Sequence, residues 1–163
     1  MSVAKHETPN RGATDTWLTP PDLIKSLGEF DTDPCVPENM PWVTAKRMIT
    51  KEECGIASEW KGRVFMNPPY SKNKEFAEKF KSHGNGICLV FARTETAWFK
   101  NYYSADALLF LPSRLKFMNH NGEMAKGNSG APSVLIAMGE TNVVALKNYQ
   151  KIHGGLLVCP MSA

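Results

Sequence analysis

Gly62-Arg63-Val64-Phe65-Met66-Asn67-Pro68-Pro69-Tyr70 is the stretch on which the fold turns. Val64-Phe65-Met66 is a short apolar run that reads as a buried strand. It stops at two successive prolines, which lack the N–H donors that a strand ladder needs. Lys74–Ser82 then has the spacing of a helix, with Phe76, Ala77 and Phe80 on its inner face. A buried strand, an abrupt loop and a helix form the repeating unit of α/β proteins.

Reading outward from this unit extends the alternation in both directions. Gly86–Ala92 is a second buried strand, with a short helix expected at Thr96–Tyr102. Ala105–Leu111 and Ser133–Met138 read as strands, Val143–Gln150 as a helix and Gly155–Cys159 as a last strand. Upstream, Thr19-Pro20-Pro21-Asp22 looks like a helix start: Thr19 caps, Pro20 takes the first position and Asp22 completes a capping box. Leu23, Ile24 and Leu27 share a face, and Gly28 ends the helix. Phe30–Asp33 is a strand cut off by Pro34, and Ala45–Ile49 is another within an irregular stretch. The expected fold is α/β with a mostly parallel central sheet flanked by helices. In such sheets ligands sit beyond the carboxyl ends of the strands. Two loops hold that position: Asp33-Pro34-Cys35 and Asn67-Pro68-Pro69-Tyr70.

The chain has 163 residues, 42% hydrophobic and 21% charged, enough for one sizeable core. Mean hydropathy is −0.31, and no apolar run approaches the roughly 20 residues of a membrane span. One domain over residues 17–163 is expected, preceded by a flexible polar arm at 1–16. The arm lacks the apolar stretch of a signal peptide. Cys35, Cys54, Cys88 and Cys159 contain no CxxC pair, and the four histidines show no metal-ligand spacing, so no metal is expected. These features together suggest a reducing cytoplasm. Net charge is +3, with about −2 over residues 1–71 and +4 over 72–126. A polyanion facing the basic block would account for this, and so would solvated lysines.

Asn67-Pro68-Pro69-Tyr70 carries the chemistry. With two N–H donors removed, the Asn67 side-chain oxygen and the Pro68 carbonyl can converge on the two hydrogens of a planar amine. Accepting both would draw the nitrogen lone pair out of conjugation and aim it at an electrophile. Tyr70 is placed to stack on the flat group bearing that amine. A Pro-Pro turn with an aromatic plug would use the same letters. The apolar strand before it and the basic helix after it favour the site.

The chain resembles the phage-type DNA adenine-N6 methyltransferases, small S-adenosylmethionine-dependent enzymes with an [N/D]-P-P-Y motif. Besides Val64–Ser71, the matching pieces are Thr16-Trp17-Leu18-Thr19-Pro20, Phe30-Asp31-Thr32-Asp33-Pro34-Cys35, Glu59-Trp60, Ala97-Trp98-Phe99 and Arg114-Leu115-Lys116-Phe117. The resemblance implies a class I, Rossmann-like methyltransferase fold. It makes Asn67, Pro68, Pro69 and Tyr70 the residues that hold a target adenine. It places Trp17, Thr19, Pro20, Asp33, Pro34, Cys35 and Asn67 around S-adenosyl-L-methionine. The Pro-Cys turn stands where broader classes have a Gly-rich loop. A ribose-binding acid should follow the second strand, and of Glu52 and Glu53 we take Glu53.

The implied reaction is direct methyl transfer to the N6 amine of an adenine flipped out of double-stranded DNA. Residues 112–132, rich in Asn, Gly and Lys, read as a long loop or an open hairpin tip. They are the expected DNA-reading element, with a mobile polar loop as the other reading, and carry Arg114, Lys116, Asn119, His120, Asn121, Lys126 and Asn128. Lys72, Lys74 and Arg93 are expected on the same partner, since arginine and asparagine suit base edges and lysine suits phosphates. Trp60, Trp98, Phe76 and Phe80 read as core. No membrane partner is expected, and the chain should be a monomer or weak homodimer, in host cytoplasm if phage-encoded. A second subunit that supplies DNA specificity stays open. Rival readings are methyl transfer to an RNA amine or a protein glutamine, and a catalytically silent binding module of the same fold.

Overall fold

The computed structural model describes residues 17–127 and 129–161. The expected arm at 1–16 and Asn128 lie outside the described residues. Seven strands form one mixed sheet in the order β2-β1-β3-β4-β6-β5-β7. These are β1 (Thr32–Val36), β2 (Arg47–Thr50), β3 (Val64–Met66), β4 (Gly86–Phe91), β5 (Ala107–Phe110), β6 (Ser133–Met138) and β7 (Leu156–Val158). The pairings β1–β2, β1–β3 and β3–β4 are parallel, whereas β6 runs antiparallel to β4 and β5, and β7 to β5. Five strands therefore point one way and two the other. This is a Rossmann-like architecture compatible with a methyltransferase.

Three α-helices accompany the sheet: α1 (Pro21–Ser26), α2 (Asn73–His83) and α3 (Glu140–His153). Alternate residues of the central strands feed two cores. Val64, Met66, Cys88 and Val90 pack with Phe76, Ala77 and Phe80 of α2. Phe65, Ile87 and Leu89 pack on the opposite face with Leu23, Ile24 and Leu27 of α1 and with Leu146 and Tyr149 of α3. Arg63 ties that second layer together. Its Nε donates to Asn142 Oδ1 (2.6 Å), its Nη2 to the Leu27 carbonyl (2.8 Å) and its Nη1 to the Glu29 carbonyl (3.0 Å). The guanidinium also lies 4.2 Å over the Phe30 ring.

Three local expectations are corrected. Pro34 does not end β1 but lies inside it. The register against β2 shifts between Asp33 and Val36, and such an irregularity accommodates a residue without an N–H. The cap of α1 is Pro20, not Thr19, no side chain bonds to it, and Pro21 takes the first helical position. Around Thr96–Tyr102 the regular element is a 3-10 helix at Phe99–Ser104. Of the two readings of residues 112–132, long loop or hairpin tip, the structure takes the second, because 117–125 close into a tight hairpin. Ala125 N–H donates to the Phe117 carbonyl (3.0 Å) and Asn119 N–H to the Glu123 carbonyl (2.8 Å).

Candidate active site

β1 is hydrogen-bonded to β2 on one side and β3 on the other. The chain thus leaves β1 in one direction and later returns on its opposite flank. That arrangement opens a crevice at the carboxyl ends of β1 and β3. A cavity of about 520 Å³ occupies it, lined by Asp33, Pro34 and Cys35 from β1 and by Asn67, Pro68, Pro69 and Tyr70 after β3. Volumes of this order suit a cofactor or small ligand.

Asn67 is held by contacts that no local pattern announces. Its Nδ2 donates to the Trp17 carbonyl and to Thr19 Oγ1, each at 3.1 Å. A main-chain carbonyl only accepts, so the nitrogen end of the amide must face Trp17. Both amide hydrogens are then engaged, and Oδ1 is the group that Asn67 offers the cavity. The Thr19 hydroxyl, expected as a helix cap, instead orients this amide from 48 residues away.

An aromatic rim adjoins Asn67. The Tyr70 ring, 44% exposed, lies 5.0 Å from the Phe91 ring, which lies 6.1 Å from the ring of Phe117. Trp17, 44% exposed, also lines the cavity. Pro69 is extended, at φ −64° and ψ 141°, and its carbonyl accepts from Lys72 N–H.

Across the crevice, Asp33 is 5% exposed. Its Oδ1 accepts from the Cys35 N–H at 3.2 Å, with the Cys35 thiol at 3.8 Å. Burial pushes the Asp33 carboxyl up to about 6, against the pull of the Thr44 hydroxyl and the Cys35 contacts. Burial, with the neighbouring carboxylate, pushes the Cys35 thiol well above its usual range, so it stays protonated. The far wall is the turn carrying Lys51, Cys54, Gly55 and Ile56. Lys79 of α2 fixes that turn by donating to the carbonyls of Ile56 (2.6 Å) and Ser58, and Trp60 Nε1 donates to the Gly55 carbonyl (2.7 Å).

The remaining sequence candidates are dispersed. Pro20 caps α1 beside Thr19 and is not among the lining residues. Glu53 is exposed, and its neighbours Lys51 and Cys54 line the cavity in its place. Lys72 lines the entrance and pairs with Glu75 at 3.9 Å. Lys74, Arg93, Lys116 and Lys126 are exposed. Arg114 Nη1 donates to the Ser129 carbonyl at the base of the loop (3.3 Å). Asn119 uses its Oδ1 to close the hairpin turn, accepting from the N–H groups of Asn121 and Glu123 at 3.0 Å. Phe76, read as core, is buried and lines the cavity as well. Sequence reasoning missed Lys79 as a clamp and Thr44 and Asn73 as lining groups. Lys79 sits in the basic block, whose two readings, facing a polyanion or solvated, both left it at the surface.

The family model for DNA N-6-adenine-methyltransferase (Dam) matches residues 5–152. The chain belongs to that family. No curated protein and no solved structure matches it. Membership of the Dam family implies a methyltransferase acting on the N6 position of adenine in DNA. Among the described residues no helix is long and apolar enough to cross a membrane, and no group of three or more His, Cys, Asp or Glu could hold a metal ion.

Proposed function

We propose that this Dam-family chain moves the methyl group of S-adenosylmethionine to the N6 amine of an adenine flipped out of double-stranded DNA at specific sites. The observation that carries the reading is the fixed amide of Asn67, whose Oδ1 faces a cavity rimmed by Tyr70, Phe91 and Phe117. An oxygen acceptor beside stacking rings suits an exocyclic amine on a flat base. A neutral amide is a poor base, so its contribution is alignment, and the methylated amine, cationic at first, would give its extra proton to water. The cofactor would supply an electrophilic methyl on a cationic sulfur. Asp33, the aromatic rim and the turn at 54–56 give that cation a carboxylate and apolar walls. Trp17, Thr19, Pro34 and Cys35 would border it, and Glu53 would have to swing inward from its exposed position to meet the ribose.

The exposed side chains of Lys72, Lys74, Arg93, Lys116 and Lys126 would meet phosphates. The hairpin at 117–125 would carry the DNA-reading surface within 112–132, with Arg114 bracing its base. Four free thiols fit a reducing cytoplasm. The test is transfer of labelled methyl to unmethylated duplex DNA, followed by digestion to nucleosides. A labelled N6-methyladenosine peak is expected. Label confined to RNA or to protein glutamine would replace the DNA reading with a sister activity. No transfer and no cofactor binding would leave a silent binding module.

Asp33 gives the cofactor reading a pH signature. Its folded pKa of about 6 lies above the ordinary 3.8, so folding takes up a proton between those values. Stability therefore falls as pH rises through that window, and the full cost, roughly 3 kcal/mol, applies above it. Asp33→Asn is expected to stabilise the free protein above pH 6 and to leave it little changed below pH 4. A cationic cofactor offsets the burial of the carboxylate, so wild-type affinity should rise with pH through about 6. Calorimetry across pH 5–8 would check this, and an equally steep rise in Asp33→Asn would refute it.

A further inference from the structure

Asn73 opens α2 and is 5% exposed. Its Oδ1 is buried and has no hydrogen-bond partner among the described residues, yet Asn73 lines the main cavity. A buried carbonyl oxygen without a donor is costly, and such atoms ordinarily have partners. Phe76, one helical turn on, lines the same stretch of wall, and Ile56 of the opposite turn lines it too. Ile56 packs against the core cluster that contains Phe76, and Lys79 donates to the Ile56 carbonyl at 2.6 Å. Phe76 and Ile56 thus give this cavity an apolar slot, lined also by the Asn73 carboxamide.

The slot lies on the α2 face of the sheet, with Val64, Met66 and Val90. The amine-holding rim lies towards the other face, where Phe117 belongs to the second core and Phe91 packs on it. The cavity therefore passes over the carboxyl edge of the sheet, with its reacting end at Asn67 and a far end at Asn73. A ligand with its reactive atom beside Asn67 reaches the slot with its opposite end. Apolar side chains beside an unpartnered carbonyl oxygen suit a flat heteroaromatic ring that presents an N–H donor. A carboxamide matches the amino and ring-nitrogen edge of adenine in two hydrogen bonds.

We propose that Asn73 is a cofactor-reading residue whose carboxamide pairs with the 6-amino edge of the cofactor's own adenine, between Phe76 and Ile56. The assignment rests on the S-adenosylmethionine reading of the cavity. It gives Asn73 no part in the methyl-transfer step. It also separates two adenines in one enzyme: the one read at Asn73 belongs to the cofactor, and the one held at Asn67 belongs to DNA.

Calorimetry with S-adenosylhomocysteine and its 6-oxo analogue, S-inosylhomocysteine, tests this without any turnover. The wild type should bind the amino form at least about ten-fold more tightly, because at the N7 edge, where a carboxamide pairs with adenine, the 6-oxo base offers only acceptors and leaves the Asn73 oxygen unpaired. In Asn73→Ala that preference should shrink to about two-fold or less. Asn73→Asp keeps the acceptor and the size of the side chain, so it should retain part of the preference. It also serves as the test protein if the alanine variant fails to fold. Equal weakening of both ligands in Asn73→Ala would overturn the proposal. So would unchanged binding of both with a raised KM for DNA, since Asn73 would then read the target base. A wild type that binds neither ligand would instead refute the cofactor reading beneath it.

Discussion

Asn67→Ala is expected to lower kcat for adenine methylation by about three orders of magnitude, on the scale seen when one positioned hydrogen-bonding group is removed from a reacting centre. The affinity for S-adenosylhomocysteine should change only a few-fold. The asymmetry follows from the geometry. The Asn67 amide is fixed by the Trp17 carbonyl and Thr19 Oγ1, and the atom left over is the one proposed to meet the base. Truncation removes the acceptor but leaves Asp33 and the 54–56 wall intact. Asn67→Asp should be intermediate. A carboxylate keeps an acceptor for the amine but sets its second oxygen against the Trp17 carbonyl, where the amide NH2 now stands at 3.1 Å. Steady-state kinetics paired with calorimetry would decide. A loss of cofactor affinity as large as the loss of turnover would remove Asn67 from its role at the amine.

Gly55→Ala should be the most damaging small substitution at the cavity. A Cβ built on Gly55 would lie 1.7 Å from the Pro34 carbonyl oxygen and 2.8 Å from its carbon. Both are main-chain atoms of an interior strand, so the turn must lift away. Lifting breaks the bond from Trp60 Nε1 to the Gly55 carbonyl and loosens the Lys79 contacts. A stability loss of about 2–4 kcal/mol is expected, with cofactor affinity reduced about ten-fold or more in the fraction that folds. Gly84→Ala is the matched control. Nothing lies within 4 Å of its Cβ, but its φ is +72°, so only backbone strain of about 1–2 kcal/mol applies. Thermal denaturation of the two variants would separate collision from strain. Equal melting temperatures would mean that the turn at 54–56 does not press on β1 as described.

Much of this was legible in the sequence because it is local. The apolar runs at Val64–Met66, Gly86–Phe91 and Ser133–Met138 became strands, and the double proline placed Asn67 just beyond a carboxyl end. Strand order was not legible, because periodicity reports burial and not neighbours. Nothing in residues 133–138 says that they run antiparallel between β4 and β5. Pro34 misled because a proline ends a strand on propensity alone, whereas an irregular register tolerates it. Thr19 misled for the opposite reason: its capping pattern was sound locally, but a contact with Asn67 claimed the hydroxyl. Asn73 and Lys79 were invisible as site residues. Both sit on a polar-looking helix, and only the docking of the 54–58 turn shows that one is buried and the other is a clamp.

The hairpin and the Asn67 amide hang on the same three residues. Leu18 exchanges hydrogen bonds with Met118 at 3.0 and 2.9 Å, while Trp17 and Thr19 on either side of it grip Asn67. If the hairpin reads DNA, a poor fit at its tip pulls on Leu18 and tilts the amide that aligns the amine. Discrimination would then act after binding: the wrong site could be occupied for as long as the right one and still go unmarked. Fidelity would thereby become a matter of timing at one side chain.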